Sequence, residues 1–179
     1  YNSLVGHSDA VRSMVFDGNG TMYSTGSDGK VLAWDIEASN NPSGVLIPDG
    51  TLKRNLALNP TNSQIAIGTE SSEIQLLNSN TKEVNTLKGH TKPVWALVYD
   101  DKGDLYSSSS DSTLRVWKGE ESTILVKGKL INSLATNDKY IVGGLMDNRV
   151  QVWNKLNGKL VKELTEESSV YSVAFSPDG

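Results

Sequence analysis

The chain of 179 residues contains no cysteine, which excludes disulfide staples and thiolate metal sites. Its two histidines, His7 and His90, are too few for a His-based metal centre unless carboxylates supply most of the ligands. An excess of positive charge is also missing: 17 Lys and Arg stand against 21 Asp and Glu, a net charge of −4. Sequence-independent binding to nucleic acid or to an anionic membrane needs clustered cations, so neither partner is expected. No apolar run is long enough to span a bilayer, and no basic start followed by an apolar stretch marks a signal peptide. No segment holds a helical hydrophobic period either.

What is present is repetition, which has to be read before anything else because it decides the fold. The segment Val11-Arg12-Ser13-Met14-Val15-Phe16 recurs as Val94-Trp95-Ala96-Leu97-Val98-Tyr99 and as Val170-Tyr171-Ser172-Val173-Ala174-Phe175. Weaker copies end at Leu58 and Thr136, so the copies are spaced by 42, 41, 37 and 39 residues. Each copy runs into a turn rich in Gly, Asn, Asp or Pro, such as Asp17–Gly20, Asn59-Pro60 and Asp101–Gly103, the residues that tight strand connections need. An apolar and hydroxyl-rich stretch, a second turn, an alternating stretch and a last short strand follow. Four strands per unit of about 40 residues is the pattern of a β-propeller blade. The expected boundaries are 6–47, 48–88, 89–127 and 128–165. An outer strand of a preceding blade is expected within 1–5, and the first strand of a further blade within 166–179.

Gly6-His7 with Trp34-Asp35, and Gly89-His90 with Trp117-Lys118, resemble the Gly-His and Trp-Asp signatures of the WD40-repeat family. Ser176-Pro177-Asp178-Gly179 and the Val-x-Ser-Val-Ala-Phe before it are similar to the same family. The resemblance implies an all-β WD40-type propeller with four full blades plus split strands of a further one. Rings of this family commonly hold seven or eight blades, so the chain is expected to be an open arc or a fragment of such a ring. Two units depart from the pattern. The second has Leu77-Asn78 where Trp-Asp would stand and lacks Gly-His, and the fourth keeps Asp147 and Trp153 but has Lys127 near the histidine position.

His7, Ser24 and Asp28 could be read as a hydrolase triad, but His90, Ser107 and Asp111 recur at matching offsets, and Trp34 and Trp117 recur with them. The resemblance implies that these sets are structural hydrogen-bond chains, with Asp147 and Trp153 the members expected in the fourth unit, so no catalytic residue is expected. No cofactor and no metal are expected; Asp17-x-Asn19-x-Thr21 begins like a calcium loop, but Met22 occupies the place of the sharp-turn glycine. The resemblance also places one position of each innermost strand at the mouth of the central channel: Arg12, Arg54, Trp95, Asn132 and Tyr171. Ala10, Leu52, Pro93, Leu130 and Ser169 lie two residues upstream, and Ser27, Ser110 and Met146 precede the blade aspartates. Arginines and aromatics on one rim have the composition of a binding hot spot, here for a protein or an acidic or extended peptide. The expected function is a non-catalytic, cytoplasmic interaction scaffold that could self-associate through open propeller edges. The alternatives are a sensor or regulatory region of a larger signalling protein, such as a bacterial NTPase with WD40 repeats, and a ligand-binding or hydrolytic propeller with a channel site.

Overall fold

The computed structural model describes residues 3–37 and 41–176, which form sixteen strands and no helix. Strands β1 (Val11–Phe16), β2 (Thr21–Gly26), β3 (Val31–Asp35) and β4 (Gly44–Ile47) make the first antiparallel meander. The second consists of β5 (Lys53–Leu58), β6 (Gln64–Thr69), β7 (Ile74–Asn78) and β8 (Val84–Leu87). The third consists of β9 (Val94–Tyr99), β10 (Leu105–Ser109), β11 (Thr113–Lys118) and β12 (Glu121–Lys127). The fourth consists of β13 (Ile131–Thr136), β14 (Tyr140–Leu145), β15 (Arg149–Asn154) and β16 (Leu160–Thr165). These are four propeller blades whose innermost strands β1, β5, β9 and β13 pack side by side, and they do not close into a ring.

The turns form for a local reason. The Asp17 carboxylate accepts the amides of Asn19 (2.8 Å) and Thr21 (3.1 Å), and Asn59, Asp100 and Asn137 hold their own turns in the same way. A side chain that caps its own loop replaces the ladder bonds lost at the bend.

The core lies between blades. Tyr23, Val31 and Ala33 of the first blade pack on Leu56, Ile65, Ile67 and Leu77 of the second. Ala66, Ile74, Leu76 and Leu87 pack on Val94, Leu97 and Trp117 of the third, and Ala96, Tyr106 and Leu114 on Ile131, Ile141 and Trp153 of the fourth. Each blade thus presents its Trp-position face to the blade before it. In the first blade that face, Met22, Leu32 and Trp34, forms a separate cluster, and Val11, Met14 and Phe16 beside it are exposed. Polar contacts latch neighbouring blades together. Ser13 Oγ accepts from the Leu56 amide (3.2 Å), Asn55 donates to the Trp95 carbonyl, and Ser108 Oγ donates to the Ile131 carbonyl (2.9 Å).

Neither flanking segment pairs as a strand. Residues 3–5 have no ladder partner, and residues 1 and 2 of the segment where that outer strand was expected lie outside the described residues. Val170–Phe175 is held to β13 only by Asn132, which donates to the Val170 carbonyl (3.1 Å), and by Ser133 Oγ, which accepts from the Val173 amide (3.2 Å). A ladder needs a second backbone, and the turn expected to lead to one, Ser176–Gly179, falls outside the described residues after Ser176.

Candidate functional site

Two four-residue polar chains stand at equivalent places in the first and third blades. Trp34 Nε1 donates to Ser24 Oγ (2.8 Å), Ser24 Oγ meets His7 Nε2 (2.8 Å), and His7 Nδ1 meets Asp28 Oδ1 (3.0 Å). In the third blade the same steps join Trp117 to Ser107 (2.7 Å), Ser107 to His90 (2.7 Å) and His90 to Asp111 (2.8 Å). An ionised carboxylate can only accept, so Nδ1 of each histidine carries the proton. Nε2 of the neutral ring then accepts from the serine hydroxyl, which itself accepts from the indole. Every serine has thus given its one proton and received another. Gly6 and Gly89 precede the histidines because a Cβ there would come within about 3 Å of the Trp34 or Trp117 ring. The second blade replaces the chain with Ile67 and Leu77, both buried. In the fourth, the expected chain through Asp147 and Trp153 does not form: Gly143, with no hydroxyl, stands at the serine position against the buried Trp153 ring, and Asp147 pairs with Arg149.

The surroundings of the two chains differ. Trp117 lies under the second blade, whereas the first set borders a cavity of about 340 Å³ lined by Leu4, Val5, Met14, Met22 and Trp34. Burial lowers the pKa of His90 more than the Asp111 carboxylate raises it. Burial pushes the Asp111 carboxyl upward, but hydrogen bonds from Thr113, His90 and the Thr91 amide outweigh it and hold the group below its usual range. Asp28 behaves likewise: burial acts upward, and the Ser8 amide, His7 and the Lys30 amide prevail. For each of these groups the unfolded chain binds protons more readily than the folded one, so stability rises with pH. The His90 contribution is complete above its unfolded pKa of 6.5 and is lost as pH falls below it. The aspartate contributions are lost below 3.8. Urea midpoints measured against pH are therefore expected to stay level above neutrality, decline gently from about pH 6.5, and drop steeply near pH 4. The gentle limb should vanish in His90→Asn; its persistence there would assign it to another group.

The second constellation lies along the upper edge of the inner strands. In every blade the ladder between the inner strand and its neighbour skips one residue. Val11 faces Gly26 and Ser13 faces Thr25, which leaves Arg12 unpaired. The same slip leaves out Arg54, Trp95 and Asn132. A β-bulge bends the strand and re-aims the side chain of the extra residue. Arg12 Nε reaches Ser27 Oγ (2.7 Å) and Arg54 Nε reaches Glu70 (2.5 Å), both on the turn between the second and third strands. The backbone closes the same edge: the amides of Ser27, Glu70, Ser110 and Met146 donate to the carbonyls of Ala10, Leu52, Pro93 and Leu130. Trp95 is half-buried, Tyr171 is 77% exposed, and Asn132 is turned sideways toward Val170.

Two features of this edge escape the sequence reading. Glu70 occupies the place of Ser27, Ser110 and Met146, but the second unit has no blade aspartate from which to count to it. Lys53 is fully buried where Val11, Val94 and Ile131 stand in the other blades. Its ammonium donates to the carbonyls of Gly29 and Thr51 (both 2.9 Å) and to Asp49, whose other oxygen accepts from Gln75 (2.9 Å). A lysine at a position otherwise held by valine or isoleucine was the available signal.

A family model described as WD domain, G-beta repeat matches residues 1–35 and 81–118. Among curated proteins the chain is similar to apoptotic protease-activating factor 1 of Danio rerio, at 29% identity over 98% of this chain and 14% of that protein. Similarity to autophagy-related protein 16 of Arabidopsis thaliana is 28% over 99% of this chain and 37% of that protein. With the ribosome biogenesis protein WDR12 homolog of Oryza sativa subsp. japonica the identity is 29%, covering 86% of this chain and 34% of that protein. The chain therefore spans well under half the length of each of these relatives.

Proposed function

Since the chain belongs to the WD40-repeat family, we propose that it is a non-catalytic scaffold that binds a partner protein, or an extended or acidic peptide segment of one, along its upper edge. The residues assigned to that contact are Arg12, Arg54, Trp95, Asn132 and Tyr171, with Pro93 and Met146 beside them. The observation that carries the reading is the bulge repeated in all four blades. A bulge re-aims a side chain or ends a pairing, and the four re-aimed residues are two arginines, a tryptophan and an asparagine. Support for a non-catalytic role comes from the polar chains. Their serines are buried, their hydroxyls are fully engaged, and the set recurs at the blade period. A cytoplasmic location belongs to the same proposal and rests on the cysteine-free composition and on the family.

The test is a pair of substitutions on the folded chain. Trp95→Ala and Arg54→Ala are each expected to weaken binding of a partner, once one is identified by cross-linking, by about tenfold or more. Affinity unchanged in both would remove the upper edge from the interaction.

A further inference from the structure

The upper edge is not uniform. Over the first two blades the arginines of the bulges are engaged, Arg12 by Ser27 and Arg54 by Glu70. Over the third and fourth blades the loops form one hydrogen-bonded ribbon. Ser109 Oγ donates to the Lys92 carbonyl (2.8 Å), and the Ser110 amide donates to that of Pro93 (3.0 Å). The amides of Gly128 and Lys129 both donate to the Ser112 carbonyl (2.8 and 3.2 Å). The Met146 amide donates to Leu130 (3.1 Å), and Ser169 Oγ donates to Met146 (2.7 Å). This ribbon leaves Leu130 39% and Met146 42% exposed, beside the half-buried Pro93.

Around that apolar centre stand Lys92, Lys127 and Lys129, and among the described residues none of their ammonium groups enters an ion pair or a hydrogen bond. The nearby carboxylates are spoken for: Asp111 by His90 and Thr113, and Asp147 by Arg149 first, with the Lys129 charge adding to its stabilisation. Uncommitted acidic side chains, Glu166 and Glu167, lie beside the turn that carries Met146, where the Glu166 amide and the Glu167 carbonyl bond to Asn148.

Resting on the interaction reading above, we infer that the half of the edge over the third and fourth blades takes an extended peptide in which an acidic side chain adjoins a bulky apolar one. The apolar side chain covers Pro93, Leu130 and Met146, where removing surface from water supplies the affinity. The carboxylate lies toward Lys92, Lys127 and Lys129 and away from Glu166 and Glu167, so charge fixes the direction of the segment. The loop bonds hold this surface in place before binding, which limits the ordering cost.

The experiment pans a random dodecapeptide display library on the full chain. It is repeated on the double variants K127E/K129E and L130S/M146S, whose thermal midpoints are checked against the parent. Enrichment of sequences with Asp or Glu next to Leu, Ile, Phe or Trp is expected on the parent. A synthetic copy of an enriched peptide should bind each double variant at least about tenfold more weakly. Enriched peptides without that pairing, or with undiminished binding to both variants, overturn the inference. If such binding is instead lost in Arg54→Ala, the interaction reading stands and the site moves to the first two blades. If nothing is enriched on the parent, both fall.

Discussion

Ser107→Ala is expected to destabilise the chain by about 2–3 kcal/mol, although it removes a single oxygen. Ser107 is wholly buried, and its hydroxyl serves as acceptor for Trp117 and donor to His90. Truncation leaves an indole N–H and an imidazole nitrogen without partners in a site closed by the second blade, and each unpaired buried group costs about 1–3 kcal/mol. At about 2–4 °C per kcal/mol for a chain of this size, the thermal midpoint should fall by roughly 5–10 °C. His90→Ala should cost at least as much, because it also strips Asp111 of its ring partner. The equivalent changes in the first blade should cost less, since the cavity beside Ser24 and His7 lets water reach the vacated groups. Urea unfolding of Ser107→Ala beside Ser24→Ala measures this directly. Equal stability of Ser107→Ala and the parent would remove the polar chain from the forces that hold the third blade.

Lys155→Met should be the other costly substitution. Lys155 projects from the turn after β15 and meets Asp100 of the preceding blade at 2.8 Å, with the two side chains 7% and 1% exposed. The same ammonium donates to the Asn137 carbonyl (3.1 Å), and the Tyr106 ring lies 6.0 Å away. Burial works against the Asp100 carboxylate, but Lys155 and the amides of Asp104 and Lys102 keep it ionised well into the acidic range. Without Lys155 a charge is left in a closed junction, and breaking a buried pair in that way costs about 3–5 kcal/mol. Asp100→Asn keeps an acceptor for the turn amides but strands the ammonium, so it should cost a similar amount. The double variant Asp100→Asn/Lys155→Met, with no buried charge left, should recover most of the loss. A double-mutant cycle by urea unfolding checks this, and additive losses would show that the pair is not coupled.

The blade pattern is legible in the sequence because its determinants are local. Alternating strands such as Thr113–Lys118 and turn residues such as Asp17, Asn59 and Asn137 encode each hairpin within a dozen residues. The two polar chains could be grouped because their offsets repeat. What escaped depends on register or on distant partners. The bulges have no single residue signature: arginine fills two of the positions, Arg12 and Arg54, but Trp95 and Asn132 fill the others, and only the ladder shows that each is skipped. The Lys53 clip joins Gly29, Asp49 and Gln75 from three separate segments, and Asp100 meets Lys155 across a blade junction. Val170–Phe175 shows the converse, since it copies an inner strand in sequence yet pairs in no ladder among the described residues.

Ser24 and Ser107 sit in the geometry of a hydrolase triad and yet, on the reading proposed above, hold blades together. Treating the full chain with a fluorophosphonate and reading its intact mass separates the two roles. An activated serine nucleophile would be phosphonylated, whereas a buried hydroxyl already engaged both as donor and as acceptor has no path to the reagent. The expected spectrum shows the unmodified mass. An adduct mapped to Ser24 or Ser107 would contradict the structural assignment and make the chain a candidate enzyme.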